Sequence, residues 1–219
     1  ESPFFLLPKE RRLAFFVLLI MIGFFSAVGF HYAQGVYLGE QYPRNTFLFE
    51  PHNRFTDFFF PLEGSHDLDP YNPEKINFIG GYFPFGYFVA FLFSRIQPWV
   101  LSLTILFLVF IIFLLFFIKK VLYRNQSISY SEIINIFVIA AMTYPILFAL
   151  DRANFDILVF IFIALFAWYY QKGNKTIATL PLAIPIAMKG YAVVLLLIPL
   201  IDKRIRDVII TSGLVLLLE

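Results

Sequence analysis

Long uncharged apolar runs, separated by small clusters of charge, set the rhythm of this chain. Leu13 to Gly39, Trp99 to Ile118 and Ile133 to Leu150 carry no formal charge. A helix needs about 20 apolar residues to cross a hydrocarbon core about 30 Å thick, and each run approaches or exceeds that length. Further apolar stretches follow at Tyr82–Phe93, Phe155–Tyr170, Ile177–Ile201 and Val208–Leu218. The pattern predicts an all-α, polytopic transmembrane helical bundle forming one domain over residues 1–219. The chain opens without Met and its last apolar run stops at Glu219, so further chain is expected at both ends.

Composition narrows the class. With 30 Phe and 60% apolar residues in 219, the chain has more apolar surface than so small a globule can hide. The absence of cysteine excludes a disulfide framework, a thiolate nucleophile and a zinc–thiolate centre. His31, His52 and His66 are too scattered to indicate a metal site. The net charge of +2 comes with no basic stripe, which argues against a nucleic-acid partner.

Charge then orients the runs. Lys9, Arg11 and Arg12 precede the first run, Leu13–Phe30, and place the N-terminus in the cytoplasm by the positive-inside rule. A cleavable signal peptide ending near Ala27 and Gly29 competes with an uncleaved helix, but the run exceeds the usual signal core of about 7–15 residues. The following loop, residues 31–81, holds Glu40, Glu50, Asp57, Glu63, Asp67, Asp69 and Glu74 against Arg44, Arg54 and Lys75, as expected outside the membrane. Its five prolines predict turns and short helices. Tyr82–Phe93 is short and aromatic, and it reads as an interfacial helix. Trp99–Ile118 descends to Lys119, Lys120 and Arg124, Ile133–Leu150 returns outward, and Phe155–Tyr170 descends to Lys172 and Lys175.

Ile177–Ile201 admits two readings. One helix would put Lys189 at mid-membrane and Lys203, Arg204 and Arg206 outside. A hairpin of two short arms would put Lys189-Gly190-Tyr191 at an outer turn and return the basic cluster to the cytoplasm. Pro181, Pro185 and Gly190 favour the break.

Charge is costly in such a chain, so the few charged residues near membrane depth are candidates for function. Asp57, the turn Asp151–Asp156 and Lys189 all fall on the outer side. A carboxylate there can act as general base on a hydroxyl, and a cation there can hold a lipid phosphate. Each also has an ordinary reading. Asp57 could be a solvated loop acid, Lys189 a lysine snorkelling to the interface, and Asp151–Arg152 a helix-end ion pair.

The chain resembles the membrane-embedded GT-C glycosyltransferases, in particular the polyprenol-phosphate-mannose-dependent type of glycosyltransferase family 87. The resemblance rests on Asp57-Phe58, Asp69-Pro70-Tyr71, Tyr82-Phe83-Pro84-Phe85, Arg152-x-Asn154-x-Asp156 and Met188-Lys189-Gly190-Tyr191, and it extends over nearly the whole chain. It implies a sugar, mannose or another hexose, moved from a polyprenyl phosphate to a lipid or glycan acceptor at the outer face of a bacterial plasma membrane, with inversion. By the same resemblance Asp57 is the general base, and Lys189 and Arg152 hold the donor phosphate. Asp69, Tyr71, Tyr82, Asn154, Asp156 and Tyr191 would contact substrate. No cofactor or metal is implied, and the partners are the donor, the acceptor and membrane lipids. The family pattern often has Tyr-Pro-Pro at Tyr82-Phe83-Pro84 and Arg-Gly-Asn at Arg152-Ala153-Asn154, departures that leave the sugar open. Asp67-Leu68-Asp69 is similar to a metal-binding DxD, but no nucleotide-binding fold accompanies it. A transporter or flippase subunit, binding an anionic substrate at the helix break near Lys189, is the alternative from another class. A catalytically inactive scaffold of the same fold is a third.

Overall fold

The computed structural model describes residues 9–40, 54–65, 82–122 and 130–219. Among them every regular element is helical and no strand occurs. Two helices, Val17–Val36 and Trp99–Lys120, are long and apolar enough to cross a membrane. The chain divides into two compact units, residues 1–55 with 114–152 and residues 56–113 with 153–219.

In the first unit α1 spans Lys9–Val36. It continues past Phe30, where the outer loop was expected to begin, because His31–Val36 holds no proline and its one glycine, Gly35, lies in the last turn. His31 is buried there, its Nε2 lying 2.9 Å from the Tyr144 hydroxyl and its ring stacked 5.7 Å from Phe148. Gly39, at φ +63, ends the segment in a conformation that glycine adopts without penalty.

The expected span Ile133–Leu150 is instead two helices, α5 (Tyr130–Ala141) and α6 (Tyr144–Arg152). Pro145 explains the break: it has no N–H to give and its ring would collide with the carbonyl of Ala141 in a continuous helix. Thr143 closes the end of α5 on the Ala140 carbonyl, its N–H donating at 3.2 Å and its Oγ1 at 2.8 Å.

The second unit holds α2 (Thr56–Gly64), α3 (Pro84–Ser94), most of α4 (Trp99–Phe117), α7 (Asp156–Gln171), α8 (Thr179–Met188) and α10 (Ile205–Leu218). α8 is its centre and is buried along most of its length. The small Ala183 and Ala187 let neighbours approach, and α7 and α10 both pack on it. Leu182 and Ile186 of α8 join Phe166, Ala178 and Ala192 in one apolar cluster.

After Met188 the chain turns back. Lys189 is extended, at φ −149 and ψ 114, and a 3-10 segment (Gly190–Leu196) and α9 (Leu197–Ile201) follow. Leu195 and Leu196 fold onto the cluster around Leu182, and the Asp202 carboxylate accepts from Lys175 Nζ at 2.6 Å and from the Tyr170 hydroxyl at 2.7 Å. Residues 175 and 202 therefore stand side by side, which only a hairpin with Lys189 at its tip allows. The α8 arm is about 15 Å long at the helical rise, half of a hydrocarbon core.

The Lys175 and Tyr170 bonds hold Asp202 below the ordinary carboxylate value of 3.8. A lowered folded pKa means that the clasp contributes fully above the unfolded value and loses its contribution as pH falls through the folded one. Thermal unfolding of the wild type and of Asp202→Asn should therefore differ at neutral pH and converge below pH 3.8. A difference unchanged by acid would show that the carboxylate charge does not close the hairpin.

Candidate functional site

The site is built on an apolar seat. Phe58 in the first turn of α2, Phe93 near the end of α3 and Phe155 just before α7 form a closed triangle, with ring centroids 5.6–5.8 Å apart. Phe58 and Phe155 are fully buried. Tilted and edge-on aromatic pairs of this kind are worth about 0.5–1.5 kcal/mol each beyond the area they bury. Each buried ring has polar neighbours in sequence. Seating Phe58 turns Asp57 to the surface of the seat, and seating Phe155 does the same for Asn154 and Asp156.

Ala153 makes this turn possible. It is fully buried at φ +50, a left-handed conformation that costs an L-residue roughly 1–2 kcal/mol. The side chain of Asn154 then accepts from its own chain, Asp156 N–H to Asn154 Oδ1 at 2.9 Å, and starts α7.

Asn154 is the hub. Its Nδ2 donates to Asp57 Oδ2 at 2.8 Å. Its Oδ1 accepts from Lys189 Nζ at 2.9 Å, and the Tyr82 hydroxyl reaches the same atom at a longer 3.4 Å. An ammonium and a backbone N–H can only donate, so the amide orientation is fixed by its neighbours. Lys189 Nζ also lies 2.9 Å from Asp156 Oδ1 and 4.8 Å from the centroid of the Tyr82 ring. The Tyr191 hydroxyl donates to that same Asp156 Oδ1 at 2.8 Å. Burial, and after it the nearby negative charges of Asp57 and Asp156, push the Tyr82 phenol up, so it stays protonated and serves as a donor.

Two close approaches lock the hairpin tip to α3. A Cβ on Gly86 would stand 3.1 Å from Tyr82 Cβ and 3.2 Å from the Met188 carbonyl oxygen, and a Cβ on Gly190 would meet the Phe83 ring at 2.7 Å. Only glycine fits these places without a shift.

The structure thus brings together Asp57, Tyr82, Asn154, Asp156, Lys189 and Tyr191, drawn from four separate stretches of sequence. Arg152 lies in the first unit, where it is buried with its guanidinium 5.2 Å from the centroid of the Phe148 ring. Asp67, Asp69, Tyr71, His52 and His66 lie outside the described residues. Among the described residues no group of three or more His, Asp or Glu gathers as a metal site would require. Sequence reasoning passed over Phe93 and Phe155 as the seat of the site and took Gly190 for a turn residue, not for a close approach. The one signal for Phe155 was an aromatic residue flanked by Asn154 and Asp156 at a helix start. Comparison with protein families, with curated proteins and with solved structures finds no match to the chain.

If the triangle seats the network, Phe58→Ala should cost about 3–5 kcal/mol of stability. The exposed Phe88→Ala on α3 should cost little. Melting of the purified protein in detergent separates the two. Equal small losses would remove the triangle from its supporting role.

Proposed function

We propose that this chain is an integral membrane glycosyltransferase that moves a hexose from a polyprenyl phosphate to a lipid or glycan acceptor, with Asp57 as general base. The observation that carries the reading is the single bonded network joining a carboxylate, Asp57, to an ammonium, Lys189, through one Asn154 amide. That pairing suits a displacement in which one end of the site removes a proton and the other receives negative charge. The acceptor oxygen attacks the anomeric carbon while its proton passes to Asp57. The bond from the anomeric carbon to the phosphate oxygen breaks, and its electron pair leaves with the polyprenyl phosphate. Lys189 then stabilises the departing oxygen, as a fixed charge in a poorly solvated site does well. Attack opposite the leaving group inverts the centre.

A polytopic bundle suits both the substrate and the surface. α4, the returning arm of the hairpin and α10 all expose large apolar side chains, among them Leu108, Ile112, Val194, Leu197, Ile201 and Leu216. The network lies at the start of α7, whereas Lys172 and Lys175 follow its end. Sixteen residues of helix separate these by about 24 Å. With the basic end in the cytoplasm, the site faces outward.

A second reading, a transporter or flippase subunit, draws on the hairpin break at Lys189, which could bind an anionic substrate. Base chemistry separates the two. Asp57→Asn keeps the shape and one acceptor but removes the basicity. Transfer from a labelled polyprenyl-phosphate sugar should fall about 10²–10⁴-fold while the donor still binds. Near-normal turnover would end the assignment of Asp57, and loss of turnover in Asp156→Asn alone would move the base to that residue.

Orientation is checked separately. Single cysteines at the exposed Glu63 and Arg206 should differ in labelling by an impermeant reagent, Glu63 reacting from outside. Outside labelling at Arg206 would reverse the orientation proposed here.

A further inference from the structure

We propose that the hairpin tip forms a subsite for one anionic oxygen, made by Lys189 Nζ and the Tyr191 hydroxyl, which the Asp156 carboxylate fills until a lipid-borne phosphate displaces it. The inference rests on the donor reading above and specifies how the phosphate is taken up. Two donors from one turn converge on a single oxygen, Asp156 Oδ1, at 2.9 and 2.8 Å. A carboxylate oxygen and a non-bridging phosphate oxygen carry similar charge and accept the same charge-assisted bonds. The position of Oδ1 therefore marks where a phosphate oxygen would sit.

The participants differ in how freely they move. The Lys189 side chain is 15% exposed and is held from behind by Asn154 Oδ1 and the Tyr82 ring. It stays in place when its carboxylate partner leaves. The Asp156 side chain is 38% exposed and can rotate into water. Its backbone N–H remains bonded to Asn154 Oδ1, so α7 keeps its first turn. Tyr191 is 58% exposed and needs only a small rotation to follow the new oxygen.

Charge explains why a placeholder is useful. A poorly solvated ammonium without an anion is expensive, and removing one partner of such a pair is strongly destabilising. The exchange keeps Lys189 paired in both states. It also sends the Asp156 charge to solvent as the phosphate arrives, which lowers the repulsion that a carboxylate beside the phosphate would exert. On this account Asp156 acts as an occupant of the phosphate position and not as a contact to the sugar.

The test uses the full chain in detergent, titrated with farnesyl phosphate, farnesol and inorganic phosphate. Asp156→Asn should tighten farnesyl phosphate roughly 5–10-fold, the effect of removing a partly exposed competing charge. Tyr191→Phe should weaken it roughly 3–10-fold through one lost bond. Lys189→Met should reduce farnesyl phosphate binding to that of farnesol. Farnesol binding should be the same in all four proteins, which also shows that each variant is folded. Inorganic phosphate should compete only at concentrations on the order of millimolar, as a lipid-borne ligand requires. Equal competition by free phosphate would overturn the lipid source. Unchanged or weaker binding in Asp156→Asn, with the wild type preferring farnesyl phosphate to farnesol, would overturn the exchange and leave the donor reading standing. No preference for farnesyl phosphate in the wild type would overturn both.

Discussion

The site depends on the burial of Phe155 between Phe58 and Phe93. Asp57 and Asn154 are 97 positions apart in sequence and meet through one hydrogen bond. Such a bond, made to a charged acceptor, contributes a net of about 1.5–3 kcal/mol, less than the two fully buried rings together. Fully burying one Phe side chain is worth about 1.5–3 kcal/mol, and two rings here are fully buried. The apolar seat therefore decides where the segments stand, and the polar groups adjust their geometry within it. Direction follows from the backbone, since a helical neighbour of a buried ring is turned about 100° away from it.

The network is also self-consistent in charge. Asp156 pairs the Lys189 ammonium directly, and Asn154, accepting from Lys189 and donating to Asp57, links the second carboxylate to it. Low dielectric surroundings strengthen a network of this kind when its members are paired and penalise it when they are not. Tyr82 adds the face of its ring to Lys189 and its hydroxyl to Asn154, so one side chain supports the cation and the amide together. The same residue closes the seat from above, with its ring 5.8 Å from Phe155.

Much of this was legible in the sequence because it follows from cost. Charge within apolar runs is rare, and Lys189 and Asp156 stood out on that ground alone. The reversal at Lys189 could be argued from the basic cluster at Lys203–Arg206 and from Pro181 and Pro185. The break before Pro145 could have been anticipated by the same proline rule. It was not, because eighteen uncharged residues match a membrane span so closely that length outweighed the local signal. The extension of α1 beyond Phe30 was hidden for another reason: His31 and Tyr32 are polar enough to resemble a loop, and the contacts of His31 with Tyr144 and Phe148 appear only in three dimensions. The aromatic triangle was invisible among 30 phenylalanines, since composition cannot say which three meet.

Gly190 carries a mechanical consequence. The space that its side chain would occupy is filled by the ring of Phe83, the residue that leads into α3. Hairpin tip and helix entrance thus meet through the end of the Phe83 ring, so a tip that advances must turn that ring aside. Any ligand that pulls on Lys189 is felt at once by Phe83 and by Tyr82 beside it. The entrance to α3 is therefore coupled to the turn that carries the cation through no more than one aromatic ring.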